Sequence, residues 1–151
     1  MTTFLWGTLA EGEEVYMEQP NGFKVKGKED YVWMLRKGLY GLPQGSRLWN
    51  KTMHDGMASI GFHRVPCEYC IYFRKTDDSV IITSIHIDDF LAGTSTDDAA
   101  AKFKADLTTL WKISNLGEAQ FCVGIIIEHD LTNHYIYLSQ TTLINRILIQ
   151  F

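Results

Sequence analysis

Ile85-His86-Ile87-Asp88-Asp89-Phe90-Leu91 sets two carboxylates side by side inside an apolar run. Adjacent like charges repel, and each loses hydration as it nears a core. The preceding stretch, Val80 to Ile87, has the composition of a buried strand, and Phe90-Leu91-Ala92-Gly93 that of a second. The chain must therefore reverse at the acids, which fall at the tight turn of a hairpin. Two explanations suit such a turn. A divalent cation offsets the cost of holding both carboxylates, and hard oxygen donors suit magnesium or manganese. Alternatively, the pair is an ordinary Asp-Asp turn facing solvent.

A length of 151 residues suits one domain with a real core. The 46% hydrophobic and 21% charged residues are those of a soluble globular protein. No stretch approaches a membrane span, and no basic region followed by an apolar one opens the chain, so an intracellular protein, cytoplasmic or nuclear, is expected. Cys67, Cys70 and Cys122 are too few for a disulfide framework. His63, Cys67, Cys70 and Cys122 have spacing that zinc could use. Against zinc, the Cys67-Glu68-Tyr69-Cys70 segment runs into a strand and no second Cys-x-x-C follows.

The net charge of -4 argues against a generally basic surface, but the charge is unevenly placed. Residues 1–75 hold 10 Lys/Arg and 8 Asp/Glu, and residues 76–151 hold 4 and 10. Lys24, Lys26, Lys28, Arg36, Lys37, Arg47 and Lys51 supply most of the positive half. A phosphate backbone could lie along this half with metal carboxylates in the other, or the lysines are simply solvated.

Along the chain, Glu14 to Glu18 alternates as a short strand and stops at Pro20-Asn21-Gly22. Tyr31 to Leu35 is a further strand. Trp49, Met53, Met57 and Ile60 then recur at helical spacing, with Gly61 as the stop. Tyr69 to Phe73 is a strand leading through Thr76-Asp77-Asp78-Ser79 into the apolar strand before the acids. Ser95 to Asp98 opens a second helix with Phe103, Leu107 and Leu110 as its buried stripe. Phe121 to Ile127 and Tyr135 to Leu138 pair as a hairpin. Ser139 caps a last helix whose Leu143, Ile144, Ile147, Leu148 and Phe151 are expected to face the core. Trp33, Trp49, Phe103 and Trp111 are also expected there. Hairpins dominate, so the fold class is α+β: an antiparallel sheet with helices packed on one face.

Five blocks in order resemble the reverse transcriptase of copia-type long-terminal-repeat retrotransposons. They are Glu14 to Phe23, Leu39-Tyr40-Gly41-Leu42-Pro43-Gln44-Gly45-Ser46-Arg47-Leu48-Trp49-Asn50, Ile87 to Gly93, Val123-Gly124-Ile125 and Leu138-Ser139-Gln140. The resemblance implies a polymerase palm-like sheet with partial fingers and no thumb, the whole of 1–151 being a single domain fragment. It implies that Asp88 and Asp89 are catalytic and bind the magnesium or manganese ions of nucleotidyl transfer. Two such ions about 4 Å apart activate the primer hydroxyl and stabilise the leaving pyrophosphate. Gln44, Gly45 and Arg47 are implied in nucleotide binding, together with Phe4, which aligns with the aromatic that discriminates against a ribose 2′-hydroxyl. His86 stands where the family usually has Tyr; with its side chain opposite Ile85 and Ile87, it is expected to contact primer. Val123 and Gly124 resemble the hairpin that grips the primer end.

Met1 to Leu5 resembles the tail of a block whose aspartate is the family's third metal ligand, and that aspartate would lie just before Met1. The expectation is a weak or inactive polymerase on its own. The missing strand would also expose a sheet edge beside the Asp88-Asp89 hairpin and invite self-association. The partners implied are an RNA or DNA template-primer and deoxynucleoside triphosphates. The rival expectation is a nucleic-acid-binding remnant without catalysis, or a decayed element with no present activity.

Overall fold

A computed structural model describes residues 7–9 and 11–150. In chain order the elements are β1 (Tyr16–Glu18), β2 (Val32–Met34), α1 (Gly45–Ser59), β3 (His63–Val65), β4 (Glu68–Lys75), β5 (Val80–His86), β6 (Asp89–Thr94), α2 (Asp97–Leu110), β7 (Phe121–Cys122), β8 (Ile125–Asp130), β9 (Tyr135–Ser139) and α3 (Thr141–Gln150). The class is mixed α+β, as the sequence implies. The strands divide among three antiparallel sheets rather than one: β1-β2, β3-β4-β5-β6 and β7-β8-β9. Among the described residues, each strand pairs with a neighbour in the chain, and no crossover joins the three groups.

The four-stranded sheet organises the core. Along β5, Ile81, Thr83 and Ile85 are buried while Val80, Ile82 and His86 are exposed, the period of a strand with one covered face. The cover is α1 and α2. Trp49, Met53 and Met57 from α1 and Ala99, Phe103 and Leu107 from α2 form one cluster with Phe62, Tyr72, Ile81, Ile85 and Trp111.

Local chemistry sets the helix limits. At the end of α1, Gly61 takes a φ of 81° and donates to Ala58 O, while Phe62 N–H reaches back to Met57 O. This is the Schellman pattern, which needs a residue free to enter the left-handed region. It turns Phe62 directly into the core. At the start of α2, Thr96 Oγ1 accepts from Ala99 N–H at 3.2 Å, and Asp97 and Asp98 face the positive end of the helix dipole.

Two contacts lock α1 and α2 together. Gly56 passes so close to Trp111 that a Cβ there would lie 2.6 Å from Trp111 Cζ2. Arg74 donates to Asp106 Oδ2 at 2.7 Å and to Ile60 O at 2.8 Å, with its guanidinium 4.7 Å from the Phe62 ring centroid.

Two expectations about burial are corrected. None of the described residues of α3 is buried; Ile144, Ile147 and Leu148 are exposed, Leu143 is half-buried, and Phe151 lies outside the described residues. The apolar spacing of α3 is real, but α1 and α2 already close the one core. Trp33 is 38% exposed because β1 and β2 form a two-stranded sheet that contributes nothing to that core. Among the described residues, β6, which carries Asp89, is an edge of its sheet. No helix among them is long and apolar enough to cross a membrane.

Candidate active site

The hairpin between β5 and β6 closes through Ile87 and Asp88, because His86 pairs directly with Asp89. Asp88 is therefore a turn residue and Asp89 the first residue of β6. Ile87 has a φ of 53°. A β-branched side chain is a genuine outlier there, and two-residue hairpins usually place glycine, asparagine or aspartate at such a position. Strain of this kind persists only where its surroundings hold it.

Two side chains from one segment do so. Trp49 Nε1 donates to Ile87 O at 3.1 Å, and Tyr40 Oη donates to Asp88 Oδ2 at 2.9 Å. Trp49 is buried in α1 and packs edge-on against Trp111, with ring centroids 6.3 Å apart. The turn is thus anchored to the core on its carbonyl side and to a loop tyrosine on its carboxylate side. Asp88 is half-buried and Asp89 exposed, so adjacent acids occupy different environments.

Tyr40 and Trp49 bracket the block expected to bind nucleotide. Leu42 to Gly45 forms a turn, with Gly45 N–H donating to Leu42 O at 3.0 Å. Gln44 caps α1 by backbone position alone, so its half-buried side chain is not consumed by the helix. Gly45 is buried. Arg47 pairs with Glu13 at 2.7 Å on the surface. Tyr40 and Trp49, which flank Gln44 and Gly45 in the chain, therefore reach the Asp88 turn through contacts the sequence did not announce. A buried tryptophan needs a partner for its N–H, which was the one available hint of Trp49's second role.

His86 faces away from Ile85, as its strand position predicts, and is exposed. Ile87 does not share the Ile85 face, because it has left the strand for the turn. Val123 and Gly124 form the two-residue turn between β7 and β8, with φ of 48° and 83°. Positive φ at both positions is the type I′ pattern, and valine is again an unusual occupant. This hairpin belongs to the third sheet, separate from the Asp88 turn. Phe4 lies outside the described residues.

Donor chemistry at Asp88-Asp89 fits a hard cation. Magnesium is commonly held by one or two protein carboxylates, its other positions filled by water and phosphate oxygens. Among the described residues, no three His, Cys, Asp or Glu side chains gather into a metal-holding group. That holds for His63, Cys67, Cys70 and Cys122 too; the three cysteines are free thiols.

The model for reverse transcriptase (RNA-dependent DNA polymerase) matches residues 1–151. The chain is 37% identical over 151 residues to a retrovirus-related Pol polyprotein from transposon TNT 1-94 of Nicotiana tabacum, covering 99% of this chain and 11% of that protein. It is 36% identical over 138 residues to a putative transposon Ty5-1 protein of Saccharomyces cerevisiae, covering 91% of this chain and 44% of the relative. It is 32% identical over 123 residues to a Pol polyprotein from transposon RE2 of Arabidopsis thaliana, covering 81% and 8%. The chain thus spans under half the length of these curated relatives. No solved structure matches it.

Proposed function

The chain belongs to the reverse transcriptase (RNA-dependent DNA polymerase) family, of the copia type, and from that premise we propose that it is the palm-centred part, with partial fingers, of a retrotransposon polymerase. Its reaction is extension of a primer on an RNA or DNA template from deoxynucleoside triphosphates. The observation that carries this reading is the strained Ile87-Asp88 turn, held by Tyr40 and Trp49 on either side of the Gln44-Gly45 helix start.

Asp88 and Asp89 are the metal ligands and catalytic residues in this proposal. Magnesium or manganese bound there supplies Lewis-acid stabilisation of charge on the phosphates. The protein's own part is positioning. Tyr40 fixes one oxygen of Asp88 and so orients the carboxylate that would hold a cation. Trp49 holds the carbonyl of Ile87, so the turn cannot relax when it is loaded. Gln44, uncommitted to the helix cap, is free to meet the incoming nucleotide, and Gly45 permits close backbone approach. Arg47 exchanges its surface pairing with Glu13 for a phosphate at little cost, because exposed ion pairs are worth only about 0–1 kcal/mol. Phe4 takes the sugar-discriminating role, while His86, Val123 and Gly124 contact the primer.

Primer extension on an RNA template with magnesium or manganese tests this reading. Extension, even weak, that disappears in Asp88→Asn and in Asp89→Asn supports it. Extension that survives both substitutions contradicts it. A folded chain that binds primer-template but incorporates nothing is the outcome for a non-catalytic remnant.

A further inference from the structure

Gln19 is a buried polar residue, 5% exposed, in a region that is otherwise largely open to solvent. Its side-chain amide makes three hydrogen bonds. Nε2 donates to Lys28 O at 2.6 Å and to Tyr31 O at 2.7 Å, and Oε1 accepts from Val25 N–H at 2.8 Å. Three turns close the same loop: Phe23 N–H to Pro20 O, Lys28 N–H to Val25 O and Tyr31 N–H to Lys28 O. Residues 20–31 are thus folded around one amide. What this device displays is unusual for a loop. Phe23 is 70% exposed and Tyr31 65%, with Lys24, Lys26 and Lys28 between them.

We propose that this Gln19-clamped loop is a binding surface for single-stranded nucleic acid, with Phe23 and Tyr31 stacking on bases and the three lysines on the phosphates. The inference rests on the polymerase reading only for its biological setting. Its physical basis is the pairing of exposed π-faces with cations, the combination that sequence-tolerant single-strand binding uses. Lys24 and Lys26 make no ion pair among the described residues, and Lys28 lies 5.7 Å from the Tyr31 ring centroid. The loop also carries two exposed acids: Glu29, which accepts Gly27 N–H at 2.9 Å, and Asp30. Beyond Tyr31 the chain lines an open groove of about 510 Å³ with Trp33, Arg36, Lys37 and Leu39 among others. The Asp88 turn plays no part in this surface.

The test is binding of a fluorescein-labelled single-stranded oligonucleotide by anisotropy across a salt series, in EDTA. Replacing all three lysines (Lys24→Gln, Lys26→Gln, Lys28→Gln) removes three phosphate contacts and lowers the log–log salt slope by about two. Phe23→Ala and Tyr31→Ala each weaken binding roughly tenfold, with the slope retained. All of these positions are exposed or half-exposed, and circular dichroism checks the fold of each variant. Unaltered affinity and slope in the loop variants overturn the inference, as does an oligonucleotide that fails to bind while anionic phospholipid vesicles do. Primer extension by a protein whose loop variants bind normally sinks this inference alone. Loop-dependent binding without any extension sinks the catalytic reading alone.

Discussion

Tyr40 Oη donates to Asp88 Oδ2 at 2.9 Å across 48 residues of chain, joining the loop before α1 to the turn between β5 and β6. The bond orients the carboxylate that the proposed function assigns to a cation. Groups that orient a metal ligand typically carry 10–100-fold in affinity. Tyr40→Phe removes the hydroxyl and keeps the ring, so manganese affinity is predicted to fall by about tenfold with thermal stability nearly unchanged. Calorimetric titration of both proteins measures this. Equal affinities would show that Tyr40 has no part in the site.

Gly56 lies within α1, where alanine ordinarily stabilises by about 1 kcal/mol. Here the new methyl meets the Trp111 ring at 2.6 Å and 2.8 Å. Overpacking typically costs about 1–3 kcal/mol, so Gly56→Ala is predicted to lower the melting temperature. Gly93→Ala is the control, since nothing lies within 4 Å of its added Cβ. A higher melting temperature for Gly56→Ala would contradict the close α1–Trp111 contact.

Arg74 and Asp106 form an ion pair with side chains only 12% and 20% exposed. Breaking a buried pair from one side costs about 3 kcal/mol, less here because Lys102 at 3.4 Å leaves Asp106 a second partner, whereas replacing both partners by apolar residues is often neutral. Urea denaturation of Arg74→Met should show the loss, and the double variant Arg74→Met with Asp106→Leu should recover most of it. A double variant no better than the single one would refute the role given to the pair.

The turn between β8 and β9 is pH-sensitive in a defined direction. The Asn133 side-chain amide, then Asn133 and Thr132 backbone N–H groups, donate to Asp130 and hold its carboxyl below the usual range. A lowered folded value means that the contribution is present above the ordinary carboxylate value and is lost as pH falls through the lowered one. Amide shifts of Thr132 and Asn133 should titrate below the ordinary Asp value of about 3.9. Titration at or above that value would contradict the hydrogen-bond assignment.

The central architecture was legible because its signals are local. Period two from Val80 to His86 and helical spacing at Trp49, Met53 and Met57 gave the elements, and Gly61 gave the end of α1. Burial of α3 and of Trp33 was misjudged for a different reason. Amphipathic spacing shows that a face is apolar, not which surface covers it. The residue pairs of the site were legible as blocks, through family resemblance, but not as contacts. Nothing near Tyr40 points to Asp88, and nothing near Gln19 points to Lys28 and Tyr31; both links exist only after the chain has closed loops. The left-handed Ile87 was also hidden, because its residue type argues against its conformation.

The most direct measurement is manganese-induced broadening of amide NMR signals, titrated into the folded protein. The polymerase account predicts broadening centred on Ile87, Asp88 and Asp89 that saturates, and that vanishes in the Asp88→Asn, Asp89→Asn double variant. Signals of that turn that stay sharp throughout the titration, in a protein whose other amides report a native fold, would contradict it.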